Sequence, residues 1–134
     1  MPWKQYNIGN TKNKGGVKIG YKGTFKTYAK LTGATYKTNV KITVYSGKSN
    51  LKWARWKTYH TAYGLLGSNG STPSLGIVYN GSISSSKIKG NFTFDKTNKY
   101  SYVYACYLKT WGELDFKTKS GEYNITTKTH AAFE

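Results

Sequence analysis

Apolar and polar residues alternate along most of the chain with a period of two. In residues 17–31 one parity is apolar, beginning with Val17 and Ile19, and the other carries a lysine at every fourth position. A strand that buries one face and exposes the other has this pattern. Fifteen residues is long for one strand, so we expect a bend or bulge near Gly20 or Gly23.

The same alternation predicts further strands in residues 40–44, 51–63, 75–83, 87–94, 100–110, 113–117 and 123–129. Residues that favour turns separate these segments at 33–34, 46–50, 67–73, 80–81, 95–98 and 120–121. No segment has an apolar stripe with the 3.6-residue period of a helix, and no apolar run is long enough for a transmembrane helix.

Seven or eight antiparallel strands in one domain predict an all-β fold, a single-domain antiparallel β-sandwich. A small closed β-barrel is the alternative; the unequal strand lengths favour the sandwich. Residues 1–16 are rich in Asn and Gly, so we expect an irregular N-terminal arm or an edge strand there. Residues 17–134 are expected to form the β domain.

The net charge of the chain indicates the class of molecule that it binds. The chain has 134 residues, and its 21 basic residues against 5 acidic ones give a net charge of +16. Residues 1–94 contain 15 basic residues and no acid. Such a field attracts polyanions, which makes an anionic membrane, an anionic cell-wall polymer or a nucleic acid the candidate partner. Only one of the 21 is an arginine, which disfavours sequence-specific reading of bases.

Lysines recur at one parity of two predicted strands. Lys30 and three other lysines share the exposed parity of the first long strand, and two more share that of the next. If the two strands are neighbours, six lysines lie on one sheet face. Like charges directly opposite each other destabilise a sheet, so we predict a functional basic face. The binding residues predicted for it are Lys18, Lys22, Lys26, Lys37 and Lys41.

A second candidate binding segment interleaves aromatic and cationic residues. It contains Lys52, Trp53, Arg55, Trp56 and Lys57. The two indoles differ in parity, so we expect one in the core and the other exposed beside a cation. An exposed indole could stack on a base or lie at a lipid headgroup boundary. The alternative is that both indoles fill the core.

A third candidate is a row of tyrosines at one parity, Tyr100, Tyr102 and Tyr104. Both parities of this segment are largely apolar. The row is therefore either an open aromatic platform for sugars, bases or protein partners, or part of a core strand.

Residues 58–86 contain no charged side chain when His60 is neutral. The ordinary interpretation is a surface hairpin with a Ser/Gly-rich tip. The alternative is a hairpin that inserts into membranes as part of a homo-oligomer, since each flank is about as long as a strand needs to be to cross a bilayer.

Catalytic groups are scarce. Glu113 and Asp115 share one face of a strand and, with Glu122, supply the alternative of a cell-wall or glycan hydrolase. A nucleophile, base and orienting group could be drawn only from His60, His130, Cys106 and Asp115, and no motif flanks them. A single Cys excludes an internal disulfide and a Cys-based zinc site. We expect no enzyme activity, metal or cofactor.

The sequence therefore favours a secreted, cationic, non-enzymatic protein that binds an anionic cell surface in an antimicrobial or toxin-like role. Its basic composition, rich in Thr, Ser, Asn and Gly with one Cys, is typical of exported proteins. The alternatives are a nucleic-acid-binding β-protein that uses aromatic stacking, and the hydrolase.

Overall fold

The computed structural model describes residues 3–30, 33–66, 74–101 and 105–133. Within these ranges the chain forms nine strands and a short 3-10 helix, Lys48–Asn50. The strands are β1 Lys4–Lys14, β2 Val17–Lys30, β3 Gly33–Ser46, β4 Leu51–Leu66, β5 Ser74–Ser84, β6 Phe92–Ser101, β7 Ala105–Thr118, β8 Gly121–Thr126 and β9 His130–Phe133.

The strands form two antiparallel sheets. Sheet A has the order β1-β2-β3-β6, and sheet B has the order β5-β4-β7-β8, with β9 pairing the other half of β7. The predicted β-sandwich is confirmed, and the described strands do not close into a barrel. The strand count exceeds the predicted seven or eight because residues 1–16 and the C-terminal end each supply a strand, although the predicted strands at 100–110 and 113–117 share the single strand β7.

The core lies between the sheets. Its largest member is the indole of Trp56, which is fully buried and packs against the rings of Tyr21 (5.1 Å between centroids) and Phe25 (6.4 Å) from sheet A. Its Nε1 donates a 2.7 Å hydrogen bond to the hydroxyl of Thr58, so the buried donor has a partner. The remaining fully buried apolar side chains come from the inward parity of both sheets, as the alternation predicted; they include Val17, Ile19, Val40, Ile42, Leu114 and Phe116.

The N-terminal segment is an edge strand and not an irregular arm. β1 pairs with β2 over its whole length, and a tight turn at Gly15 and Gly16 joins them. Both glycines have positive φ (61° and 75°), a conformation that glycine adopts without steric cost. An edge strand tolerates the polar residues that suggested an arm, because most of its surface faces water. A register shift does occur beside Gly20, between Lys18 and Ile19, but the extra residue is Tyr45 of β3 and not a residue of β2.

Three predicted turns were wrong. Residues 33–34, 80–81 and 95–98 lie inside β3, β5 and β6. In β6 the polar run occupies the edge of sheet A, where water can solvate it. In β5, Gly81 leaves room for the ring of Tyr79, whose hydroxyl would lie 2.2 Å from a Cβ at that position. The turns at 46–50 and 120–121 are confirmed, whereas 67–73 lies outside the described residues.

Candidate functional site

The outer face of sheet A, called the basic face below, collects lysines from three strands. The register sets Lys22 directly opposite Lys41 and Lys26 directly opposite Lys37. Among the described residues of this face, seven lysines stand against one acid; they are Lys18, Lys22, Lys26, Lys30, Lys37, Lys41 and Lys99, with Asp95. All five lysines predicted for the basic face therefore share one surface.

The spacing on this face follows from strand geometry. Neighbouring strands lie about 4.8 Å apart and residues four apart on a strand about 13 Å. The two lysine pairs are therefore rungs about 13 Å apart, and Thr24 opposite Asn39 forms the rung between them. None of these four lysines has an acid directly across from it in the register. The one acid of this face, Asp95, lies opposite Asn39 and diagonal to Lys37 and Lys41, so solvent and salt must screen most of the repulsion.

Exposed aromatic rings flank the lysines at the two ends of the basic face. At one end the indole of Trp3 is 42% exposed, lies 5.3 Å from the ring of Tyr28, and has the Lys37 ammonium 4.9 Å from its centroid. At the other end Tyr45 is 56% exposed, with the Lys18 ammonium 5.8 Å from its ring.

Sequence reasoning missed Trp3, Tyr45 and Lys99 as members of this face. The odd parity that Trp3 shares with the polar positions of β1 was a signal that could have placed it. Lys99 was missed because residues 95–98 were predicted to form a turn.

The second predicted segment lies on the opposite side of the molecule, on the outer face of sheet B. Trp53 is half-buried there, with Arg55 at 5.6 Å and the Lys87 ammonium at 4.4 Å from its ring. Trp56 is in the core. The predicted core indole is thus Trp56, and the other indole, Trp53, lies beside two cations but is half-buried where an exposed ring was expected.

The remaining cations of that segment do not join the basic face either. Lys57 lies over Tyr59 (4.8 Å), which stacks on Trp111 with centroids 3.9 Å apart. Lys52 is exposed at a register shift of β4. Apart from the buried Trp56, the residues predicted in these two segments therefore belong to two opposite surfaces of the sandwich and cannot all contact one flat partner.

Glu113, Asp115 and Glu122 lie on the outer face of sheet B, around a cleft of about 640 Å³ that Trp53 and Asn124 also line. The hydroxyl of Tyr59 donates a 2.7 Å hydrogen bond to Glu113, and Arg55 forms a 3.3 Å ion pair with Asp115.

Burial raises the pKa of Asp115, Glu113 raises it further, and Arg55 opposes both. Burial, followed by the bond to Glu113, raises the pKa of Tyr59 to about 12. The carboxylates at 113 and 115 are thus engaged by neighbours on their own sheet.

The tyrosine row is not an open platform at its described member. Tyr100 lies between the sheets, stacks on Tyr79 at 3.8 Å, and has its hydroxyl 3.1 Å from Nδ1 of His60. Tyr102 and Tyr104 lie outside the described residues.

His60 is 1% exposed, and burial lowers its pKa to about 4. It faces the core while Asp115 faces outward from the same sheet, so these two do not form a catalytic pair. His130 stacks on Tyr6 at 4.7 Å, and the side chain of Cys106 lies outside the described residues.

The charge-free segment forms most of the β4–β5 hairpin. Its β4 strand places Thr58, His60 and Ala62 in the core. The alternation that predicted a strand at 75–83 is interrupted in β5, because a register shift opposite residues 62 and 63 leaves Val78 without a cross-strand partner. The shift turns Ile77 outward, where it is 52% exposed, while Tyr79 points inward.

No protein-family model and no curated protein matches the chain. A crystal structure from Bordetella pertussis that carries the provisional name ApaA has a TM-score of 0.37 and 9% identity, covering 97% of this chain and 91% of that one. A structural-genomics target has a TM-score of 0.32 and 10% identity, covering 98% and 86%. Similarity at this level carries no functional argument.

The described residues hold no metal centre and no membrane-spanning helix. No group of three or more His, Cys, Asp or Glu side chains there could hold a metal ion. No helix in the same part of the chain has the length and apolar character needed to span a bilayer.

Proposed function

We propose that this protein binds an anionic cell surface through the basic face. The observation that carries the proposal is the direct pairing of Lys22 with Lys41 and of Lys26 with Lys37 across two strands. Like charges at such positions destabilise a sheet, so folding alone does not favour them. A partner that brings phosphate or carboxylate groups to this face would neutralise the repulsion and gain the attraction of four ammonium groups.

A planar bilayer suits this surface better than a compact ligand. Trp3 lies beside Tyr28, and Tyr45 lies beside Lys18. Tyr28 and Lys18 are ten residues apart on β2, so the two exposed rings are about 33 Å apart along the strand. Amphipathic rings favour the headgroup region of a membrane, and each lysine near an anionic leaflet contributes about 1 kcal/mol. We propose a secreted, non-enzymatic protein in which this contact serves an antimicrobial or toxin-like role.

The nucleic-acid alternative loses two of the groups on which it depended. The indole of Trp56 is fully buried, and Tyr100 is stacked between the sheets. A base could not reach Trp56 without opening the sandwich, and the stacked ring of Tyr79 covers one face of the partly buried Tyr100. The hydrolase alternative is not favoured because Glu113 and Asp115 are engaged by Tyr59 and Arg55.

The proposal is tested by vesicle binding of a charge-reversed variant. Lys22→Glu, Lys26→Glu and Lys41→Glu together change three charges of the basic face. The control, Lys52→Glu with Lys119→Glu and Lys128→Glu, changes the net charge equally at exposed positions elsewhere. Co-sedimentation with phosphatidylglycerol vesicles should weaken by about 100-fold for the first variant, at about 1 kcal/mol per lysine, and much less for the control. Equal losses would show that only net charge matters.

A second arm separates a bilayer from a wall polymer. Brominated acyl chains should quench the fluorescence of Trp3 when the protein binds anionic vesicles, and a Trp3→Phe variant should lose this part of the quenching. Binding to isolated anionic wall polymer, without binding to vesicles, would replace the bilayer by the polymer as the partner of the same face.

A further inference from the structure

β5 is an edge strand without a charged residue. In the described part of the chain its ladder partners all belong to β4, and the sheet order places it at the end of sheet B. None of its 11 residues is acidic or basic. Its outward positions carry Ile77, which is 52% exposed, together with Asn80 and Ser82.

The other long sheet edges carry charges. β1 has lysines at positions 4, 12 and 14, β6 has Asp95, Lys96 and Lys99, and β8 has Glu122. Charged side chains on an edge strand prevent it from pairing with a strand of another molecule. β9, the remaining described edge, has no Lys, Arg, Asp or Glu either, but it is only four residues long, and a very short edge strand offers little for another chain to pair with. Among the longer described edges, β5 is therefore the one that carries no charge.

The net charge of the protein limits where two copies of it can make contact. Two molecules of net charge +16 repel each other, and the repulsion is least where neither surface carries a lysine. We propose that β5 pairs with β5 of a second copy, antiparallel, so that two B sheets join into one continuous sheet. Such a contact is isologous, because the same strand is used on both sides of a two-fold axis.

The symmetry of this pairing has a consequence for surface binding, which rests on the proposed function. A two-fold axis that relates two antiparallel neighbouring strands is perpendicular to the sheet. Both A sheets therefore lie on the same side of the dimer, and both basic faces point toward one plane. Two linked faces bind a planar anionic surface with greater avidity than one face alone.

Sedimentation equilibrium tests the dimer directly. The wild-type protein should form dimers whose dissociation constant falls as NaCl rises from about 0.02 to about 0.5 M, because salt screens the repulsion between the two chains. Vesicle binding has the opposite salt dependence, so failure of the dimer and failure of the proposed function are distinguishable. A wild-type protein that stays monomeric throughout this salt range at high protein concentration would overturn the inference.

A variant with lysines on β5 tests the location. Ile77→Lys with Ser82→Lys adds two charges to the proposed contact, and Thr11→Lys with Thr126→Lys adds the same charge at exposed positions of β1 and β8. The first variant should dimerise at least about tenfold more weakly, because like charges then face each other across the pair. The second should dimerise more nearly like wild type. Equal weakening in both would place the contact elsewhere.

Two further measurements extend the test. Amide hydrogen exchange of the wild-type protein, which needs no variant to fold, should slow in residues 76–84 as protein concentration rises, while β1 exchanges at a constant rate. The β5 lysine variant should also bind anionic vesicles more weakly than wild type despite two more positive charges, since it loses avidity. Concentration-independent exchange in β5 would refute the pairing.

Discussion

At the scale of single residues, the buried indole of Trp56 fits in the core because residue 112 is a glycine and has no side chain. Gly112 lies on the inward face of β7, and a Cβ there would be 2.5 Å from Cζ2 of Trp56 and 3.1 Å from the carbonyl oxygen of Lys57. The indole therefore occupies the space that any other residue at 112 would need. Because the indole is held between Tyr21 and Phe25, it cannot move aside without displacing sheet A.

The first prediction follows from this contact. Gly112→Ala should lower the free energy of unfolding by about 1–3 kcal/mol, the usual cost of overpacking a core. Gly9→Ala is the matched control, since the nearest atom to a Cβ there lies at 3.5 Å on an exposed strand. Urea denaturation should show the control unchanged or slightly stabilised. Equal effects in both variants would mean that the indole has room to shift.

The buried His60 makes stability depend on pH. Its pKa of about 4 lies below the ordinary value of 6.5 because the charged ring cannot be solvated in the core. Between these values the unfolded chain binds more protons than the folded one, so the free energy of unfolding falls as pH falls. The full loss is on the order of 3 kcal/mol.

The second prediction is that His60→Leu flattens this dependence. Denaturation midpoints measured from pH 7 to pH 4 should fall for wild type and much less for the variant. Burial also lowers the pKa of His130, so His130→Gln should remove a smaller part of the slope. A wild-type slope that persists in His60→Leu would assign the pH dependence to other groups.

At the scale of elements, the pairing of β2 with β3 is favoured by the burial of apolar side chains and disfavoured by repulsion between lysines. The inward parity of both strands supplies Ile19, Phe25 and Val40 to the core. A slip of one residue would expose these side chains. The register is therefore fixed by burial, and the lysines of the other parity are brought into direct opposition.

The third prediction concerns this opposition. Lys41→Glu should raise the free energy of unfolding by roughly 0.5–1 kcal/mol at low salt, since an opposite-charge pair with Lys22 replaces a repulsive one. Lys119→Glu, at an exposed turn, makes the same change in net charge without a lysine directly across a ladder. Thermal melts should show the larger gain for Lys41→Glu. A larger gain at position 119 would mean that the cross-strand contact is solvent-screened.

At the scale of the whole molecule, the two outer faces divide the charge unequally. The basic face has seven lysines and one acid. The described strands of the outer face of sheet B carry four basic residues and three acids, and Lys87 adds a fifth cation over Trp53; the strand residues are Arg55, Lys57, Lys109, Lys117, Glu113, Asp115 and Glu122. Sheet B therefore resembles an ordinary solvated surface, with ion pairs at 55–115 and 117–122. The asymmetry gives the molecule one strongly positive side.

The fourth prediction is that salt stabilises the fold. Raising NaCl from about 0.01 to about 0.5 M shortens the Debye length from about 30 Å to a few ångströms, so the melting temperature should rise by several degrees. The variant that combines Lys22→Glu, Lys26→Glu and Lys41→Glu should show a smaller rise, because less repulsion remains to be screened. A melting temperature that does not respond to salt would contradict a stability limited by self-repulsion.

The sequence by itself determined the all-β fold class. Apolar residues that alternate with a period of two lie on one face, and so can be buried together, only when the segment is a strand. It also determined which lysines share a face of β2 and of β3, since parity along a strand is local. Edge strands were harder to predict: β1 and β6 carry polar residues on both parities, and local sequence cannot distinguish an edge from a loop.

Only the tertiary structure decided which strands are neighbours, and hence that Lys22 faces Lys41 while Trp53, Arg55 and Lys57 lie on the far side of the sandwich. It also decided that Trp56 is enclosed, that Tyr100 is partly buried against Tyr79, and that a shift at Val78 turns Ile77 outward. The physical reason is that strand order, register shifts and the packing of one sheet on the other arise from contacts between distant segments, which alternation along one segment does not encode.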